Sequence, residues 1–100
     1  MGWSDRIYER VKEIANALGV EYEICDEGYV CKKGERIVKT IYNAALGLYT
    51  KAEWENVRKS IIDKLREYIT NEDASTRYKV IYRVSTKHGC SRLYVIKTAR

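Results

Sequence analysis

Polar and apolar residues alternate through the last quarter of the chain, and this pattern constrains the fold more than any other feature. A period of two is typical of β-strands, because successive side chains point to opposite faces of a sheet. Two such segments flank residues 85–91, where Gly89 suits a tight turn. They predict a C-terminal β-hairpin whose apolar face packs on helices through Tyr78, Val80, Tyr82, Val84, Leu93 and Val95.

Three segments have apolar residues at helical spacing and predict the helices that cover this face. The first covers residues 4–18, with Ser4 as N-cap and Gly19 as the stop, and the second covers about residues 35–46. The third begins after Thr50, which can form a capping box with Glu53. Its apolar stripe consists of Trp54, Val57, Ile61, Leu65 and Tyr68.

Residues 20–34 alternate around a turn at residues 26–28 and predict a short strand pair. The expected fold is therefore α+β, a single domain over residues 1–100, with three helices packed on a small antiparallel sheet. No apolar run approaches the roughly 20 residues that span a bilayer, and acidic residues occupy the N-terminus where a signal peptide needs apolar ones. We expect a soluble cytoplasmic protein with no membrane partner.

Charge is distributed unevenly along the chain. Residues 77–100 contain seven Lys or Arg and no Asp or Glu, whereas residues 1–76 contain 12 basic and 14 acidic residues. A local positive field of this kind is typical of a surface that meets a phosphate backbone. The structural alternative is that Lys and Arg protect an exposed sheet from edge pairing.

The order helix, strand pair, helix, tight turn, helix and basic hairpin resembles that of winged helix-turn-helix domains. The segment IYNAALGLYTKAEWENVRKSI is similar to their helix-turn-helix, with Gly47 at the turn. In that family the third helix enters the major groove of double-stranded DNA, and the hairpin wing contacts an adjacent groove or the backbone. The residue usage, without Gln or Phe, also resembles that of small proteins of archaeal viruses and plasmids.

The resemblance implies two groups of DNA-contacting residues. The group on the exposed side of the third helix is Lys51, Arg58 and Lys59. The group on one strand face of the wing or at its tip is Lys79, Arg83, Lys87 and Arg92. Reversing the charge of the wing group is expected to abolish DNA binding with little change in thermal stability, since exposed charges contribute little to folding.

The three cysteines allow a disulfide, a metal site or small buried thiols. Cys25 and Cys31 lie across the predicted first hairpin and could form a disulfide where the compartment or organism permits one. With His88 and Cys90 they are residue types that bind zinc, but the C-x5-C and H-x-C spacings are not typical of structural zinc sites. We expect no metal and no cofactor.

No combination of residues in the sequence indicates catalysis. Two serines flank His88 without an acid nearby in sequence, and no glycine-rich phosphate loop is present. The prediction is a non-enzymatic transcription regulator that binds double-stranded DNA as a homodimer. The alternative is a protein-interaction module, such as a viral inhibitor or assembly factor, whose basic hairpin binds an acidic protein.

Overall fold

The computed structural model describes residues 3–26, 28–43, 46–70, 75–85 and 90–99. Two helices and four strands make up this part of the chain, and a short 3-10 turn (Leu46–Leu48) precedes the second helix. In chain order the elements are α1 (Trp3–Leu18), β1 (Glu21–Asp26), β2 (Glu35–Asn43), α2 (Lys51–Arg66), β3 (Thr76–Ser85) and β4 (Cys90–Ala99).

The four strands form one mixed sheet in the order β1-β3-β4-β2. β1 pairs parallel with β3, whereas β3 with β4 and β2 with β4 are antiparallel. The predicted C-terminal hairpin is confirmed by the β3–β4 pair, with Tyr82 opposite Leu93. Its strands are the two central strands of the sheet, so they do not project as a wing.

The predicted α+β class is confirmed, but the predicted architecture is wrong in two respects: two helices rather than three are present in the described residues, and the sheet is mixed rather than antiparallel. The segment predicted as the second helix is strand β2. Ile37 and Ile41 are four residues apart, a spacing that predicts one helix face. In β2 the bulge between Ile37 and Lys39 instead places them on opposite faces of the sheet, with Ile37 opposite Ile96 and Ile41 opposite Leu93. The β-branched residues of this segment favour the extended conformation, and pairing with β4 stabilises it.

The first strand is confirmed, but its predicted partner is not. β1 covers the first half of the predicted strand pair, yet it pairs with β3 rather than with the residues that follow it. The sequence contains no local signal for a parallel pairing between segments more than 50 residues apart. A parallel neighbour requires a long crossover connection, which here includes β2 and α2.

Both confirmed helices follow from their local sequence. Thr50 accepts a hydrogen bond from the Glu53 amide at 3.1 Å, and the Glu53 carboxylate accepts one from the Thr50 amide at 2.8 Å, which is the predicted capping box. After α1, Gly19 adopts φ +69°, a left-handed conformation that ends the helix at low steric cost.

The helices cover one face of the sheet, which we call the helix face. Here α1 and α2 bury apolar side chains against the centres of β3 and β4, and the fully or nearly fully buried residues include Val11, Ile14, Trp54, Leu65, Val80, Tyr82, Leu93 and Val95. The Tyr82 hydroxyl accepts a hydrogen bond from the Leu46 amide at 3.1 Å. Arg10 donates to the Leu46 and Tyr49 carbonyls, so the turn before α2 is fixed to the core from two sides.

The opposite face is covered by the connection between β1 and β2. These strands lie at opposite edges of the sheet, so residues 28–34, which we call the strap, cross the whole face. Tyr29 and Cys31 of the strap pack with Cys25 on the buried residues Ile81, Tyr94 and Ile96. The central strands are therefore covered on both sides.

No helix in the described residues combines the length and the apolar character needed to cross a bilayer.

Candidate nucleic-acid interface

Lys79, one of the predicted wing residues, takes part in an ion network beneath the strap. Its side chain is 17% exposed, and its Nζ lies 3.1 Å from a carboxylate oxygen of Glu23 and 3.6 Å from one of Glu35. Tyr29 donates a hydrogen bond to the Glu35 carboxylate, and the Lys32 amide donates a second at 3.1 Å. The positive charge of Lys79 is thus paired with two carboxylates and only partly exposed, and its role in DNA contact stays a prediction.

The pKa values of this network show that the charged forms are stabilised. The hydrogen bond from Lys79 lowers the pKa of Glu23, and the hydrogen bond from Tyr29 is the main cause that lowers the pKa of Glu35. Burial alone would lower the pKa of Lys79, but the two carboxylates more than offset that effect and raise it. Burial and the bond to Glu35 raise the pKa of Tyr29, so its hydroxyl remains a donor.

The other predicted contact residues that the structure describes are divided between α2 and the strap side of the sheet. Arg58 lies 2.8 Å from the Glu55 carboxylate and 3.6 Å from that of Glu13, whereas Lys51 and Lys59 are exposed on α2. Arg83 and Arg92 lie directly opposite each other on the strap side, both half-buried. The Arg83 Nε atom is buried with no hydrogen-bond partner. Lys87 lies outside the described residues.

A different group of cations meets on the helix face, at the end of the sheet where β2 begins and β4 ends. Arg36 is directly opposite Lys97 in the β2–β4 ladder, so their side chains share a face. A bulge shifts the register between Ile37 and Lys39. Lys39 therefore joins the same face although it is three residues from Arg36. We call Arg36, Lys39 and Lys97 the basic end.

Contacts around Lys39 confirm which face it occupies. Its Nζ lies 5.1 Å from the centroid of the Tyr68 ring, a cation–π geometry, and Tyr68 is two residues beyond the end of α2. Arg36 is exposed, and Lys39 and Lys97 are half-buried. No carboxylate of the described residues lies within 4 Å of the charged nitrogens of these three side chains. Their charge is therefore available to an external anion.

A small cleft of about 340 Å³ opens at the basic end, between Gly34, Glu35, Arg36 and Lys97. The Glu35 carboxylate in its wall is already engaged by Tyr29 and Lys79. Exposed Lys32 and Lys33 precede the cleft in the chain, within the strap. The cleft has room for one phosphate group between two cationic side chains.

Sequence reasoning included Lys97 in the basic C-terminal segment but missed its partners. Arg36 and Lys39 fall in the segment that was predicted to be a helix, where they would lie far from the hairpin. If residues 35–43 had been assigned to a strand, Arg36 and Lys39 would have been placed on a sheet. The pairing of that strand with β4, which brings the charges together, is a long-range contact with no local sequence signal.

Cys25 and Cys31 are free thiols in the structure, and both pack on the same apolar cluster. Burial is the main cause that raises the pKa of Cys25, so its thiol is poorly reactive at neutral pH. Their predicted disulfide stays a prediction. The zinc alternative also needs His88, which lies outside the described residues; within them, no group of three or more His, Cys, Asp or Glu residues could hold a metal.

Comparison with protein-family models, curated proteins and solved structures finds no significant match to this chain. The case for a function therefore depends on the geometry and charge of the surfaces described above.

Proposed function

We propose that the protein binds double-stranded DNA and that the basic end contacts the phosphate backbone. The observation that supports this most is the direct cross-strand pair of Arg36 and Lys97, with no carboxylate of the described residues within 4 Å of either charge. Like charges directly opposite each other in an antiparallel pair destabilise a sheet. An anion bound between them removes that cost, and a phosphate suits the hydrogen-bond donors of Arg and Lys.

The aromatic residues favour duplex over single-stranded nucleic acid as the partner. Single strands are usually held by bases stacked on exposed aromatic rings. At the basic end the Tyr68 ring is half-buried and already in contact with Lys39. Backbone contact without stacking is the mode expected for a duplex. Transcription regulation and the homodimer of the sequence-based hypothesis stay predictions.

The experiment measures affinity for a fluorescent random-sequence duplex by anisotropy over a series of salt concentrations. Because Arg36 and Lys97 share one phosphate and Lys39 contacts another, two neutralised phosphates predict a slope of about −1.8 for log affinity against log salt, or about a twelvefold loss for a fourfold rise in salt. The test variant is Arg36→Glu/Lys39→Glu/Lys97→Glu. The matched control is Lys51→Glu/Lys59→Glu/Lys64→Glu, which makes the same change in net charge at exposed positions of α2.

The proposal predicts that the basic-end variant loses duplex binding and that the α2 variant keeps a salt slope close to that of the wild type. Equal loss in both variants would mean that only net charge matters. Loss confined to the α2 variant would instead support the helix surface predicted from sequence. Duplex affinity that is negligible for the wild type at physiological ionic strength would reject DNA binding and favour an acidic protein partner.

A further inference from the structure

We infer that copies of this protein associate head to tail, with the β2 edge of one copy docked in a groove beside β1 of the next. The two edges of the sheet are both unpaired in the described residues, since β1 pairs only with β3 and β2 only with β4. An unpaired strand edge is a ready surface for a second chain. The two edges differ in charge and in shape, and those differences select the partner.

The β2 edge presents apolar side chains between cations. Ile37 is 43% exposed and Val38 is 36% exposed, although both are large apolar residues within a strand. Arg36 and Lys39 flank them directly. The bulge between Ile37 and Lys39 interrupts the ladder at this point. Side chains rather than a continuous series of backbone hydrogen bonds would therefore carry the contact.

The β1 edge has the complementary character. A groove of about 580 Å³ lies between α1 and β1 and is lined by Asp5, Tyr8, Tyr22, Glu23 and Ile24. Tyr8 and Tyr22 form an edge-to-face pair with ring centroids 5.7 Å apart, and Tyr8 is 50% exposed.

Carboxylates of α1 lie beside these aromatic side chains. Asp5 lines the groove and Glu9 is exposed beside it on α1, whereas Glu21 of β1 lies on the strap side of the sheet. Lys12 lies a helical turn beyond Tyr8, and Lys79 pairs with Glu23 of the lining at 3.1 Å. The groove therefore offers an apolar floor for Ile37 and Val38, and the carboxylates of Asp5 and Glu9 along its α1 side face their flanking cations.

Charge also decides the symmetry of the association. A twofold dimer through β2 would bring Arg36 and Lys39 of both copies together, and one through β1 would bring together the carboxylates of Glu21 and Asp26. Like charges brought face to face oppose both arrangements. Contact between unlike edges pairs cation with carboxylate, and such a heterologous contact leaves a free edge at each end for further copies.

The inference does not depend on DNA, although both proposals use Arg36 and Lys39. If both are right, a short duplex dissociates the assembly by competing for these side chains. Failure of the proposed function would appear as absent duplex binding. Failure of this inference would appear as absent self-association without DNA, so the two results are separable.

The test compares two edge variants by sedimentation velocity at low and physiological ionic strength. Arg36→Glu/Lys39→Glu makes both docking surfaces acidic, and Asp5→Lys/Glu9→Lys makes both basic. Neither variant alters Glu23, which pairs with Lys79. Thermal melting by circular dichroism shows whether each variant remains folded.

Head-to-tail docking predicts that the average mass of the wild type rises with concentration and falls with added salt. Each folded variant alone remains monomeric, and an equimolar mixture of the two associates again because acidic edges then meet basic ones. A wild type that stays monomeric at every concentration would overturn the inference. The groove would then be assigned to a basic segment of another protein. Association of either variant alone, or a mixture that stays monomeric, would overturn it as well.

Discussion

Replacing Lys79 with Met tests whether this residue stabilises the fold or is an exposed contact residue. The substitution leaves the carboxylates of Glu35 and Glu23, 8% and 41% exposed, without their shared cation. Removing one partner of a fully buried ion pair costs about 3–5 kcal/mol, and the exposure of Glu23 reduces this figure because water screens its charge. We expect a loss of about 2 kcal/mol, which for a domain of this size lowers the melting temperature by about 8–16 °C.

The assay is urea unfolding followed by circular dichroism at neutral pH, with Lys59→Met as the control on the exposed surface of α2. A triple variant, Lys79→Met/Glu23→Gln/Glu35→Gln, should recover part of the loss, since it removes the unpaired charges together. If Lys79→Met had wild-type stability, the ion network would be refuted. Lys79 would then be a surface cation available for DNA contact, as the sequence predicted.

The remaining predictions concern pH, a buried hydroxyl and a helix cap. Because the pKa values of Glu23 and Glu35 lie below the ordinary 4.5 in the folded state, their stabilisation is present above pH 4.5 and is lost as pH falls further, which an acid titration of unfolding free energy would detect. Tyr82→Phe leaves the buried Leu46 amide without its acceptor and should cost about 1–2 kcal/mol in urea unfolding. Thr50→Ala removes the α2 cap and should cost about 1 kcal/mol by the same measurement, whereas Thr50→Ser should restore it.

The sequence correctly predicted those helices and strands that are determined mainly by interactions between residues close together in the chain. The Thr50 capping box and the stripe through Leu65 define α2, and strict alternation defines β3 and β4. These features were predictable because neighbouring residues alone decide them. The β2 segment was assigned to a helix because Ile37 and Ile41 have helical spacing, whereas pairing with β4 and the bulge in β2 decide the outcome.

The candidate site could be predicted only in part, for a related reason. The charge excess of the last 24 residues is real, but a sum of charges does not show which of them have partners. Lys79 is neutralised by Glu23 and Glu35, which lie more than 40 residues away in sequence. Lys97 on β4 instead lies next to two further cations, Arg36 and Lys39, on the adjacent strand β2. Both outcomes depend on the order of strands, which no local pattern specifies.

Titration of the uniformly ¹⁵N-labelled protein with a short duplex, followed by amide chemical shifts, tests most directly where DNA binds. Contact at the basic end predicts that the largest changes occur at Gly34, Arg36, Lys39 and Lys97 and diminish with added salt. Amides near Lys51 and Lys59 on α2 serve as the internal comparison. Changes confined to α2 or to the β3–β4 turn, with the basic end unaffected, would contradict the proposed interface.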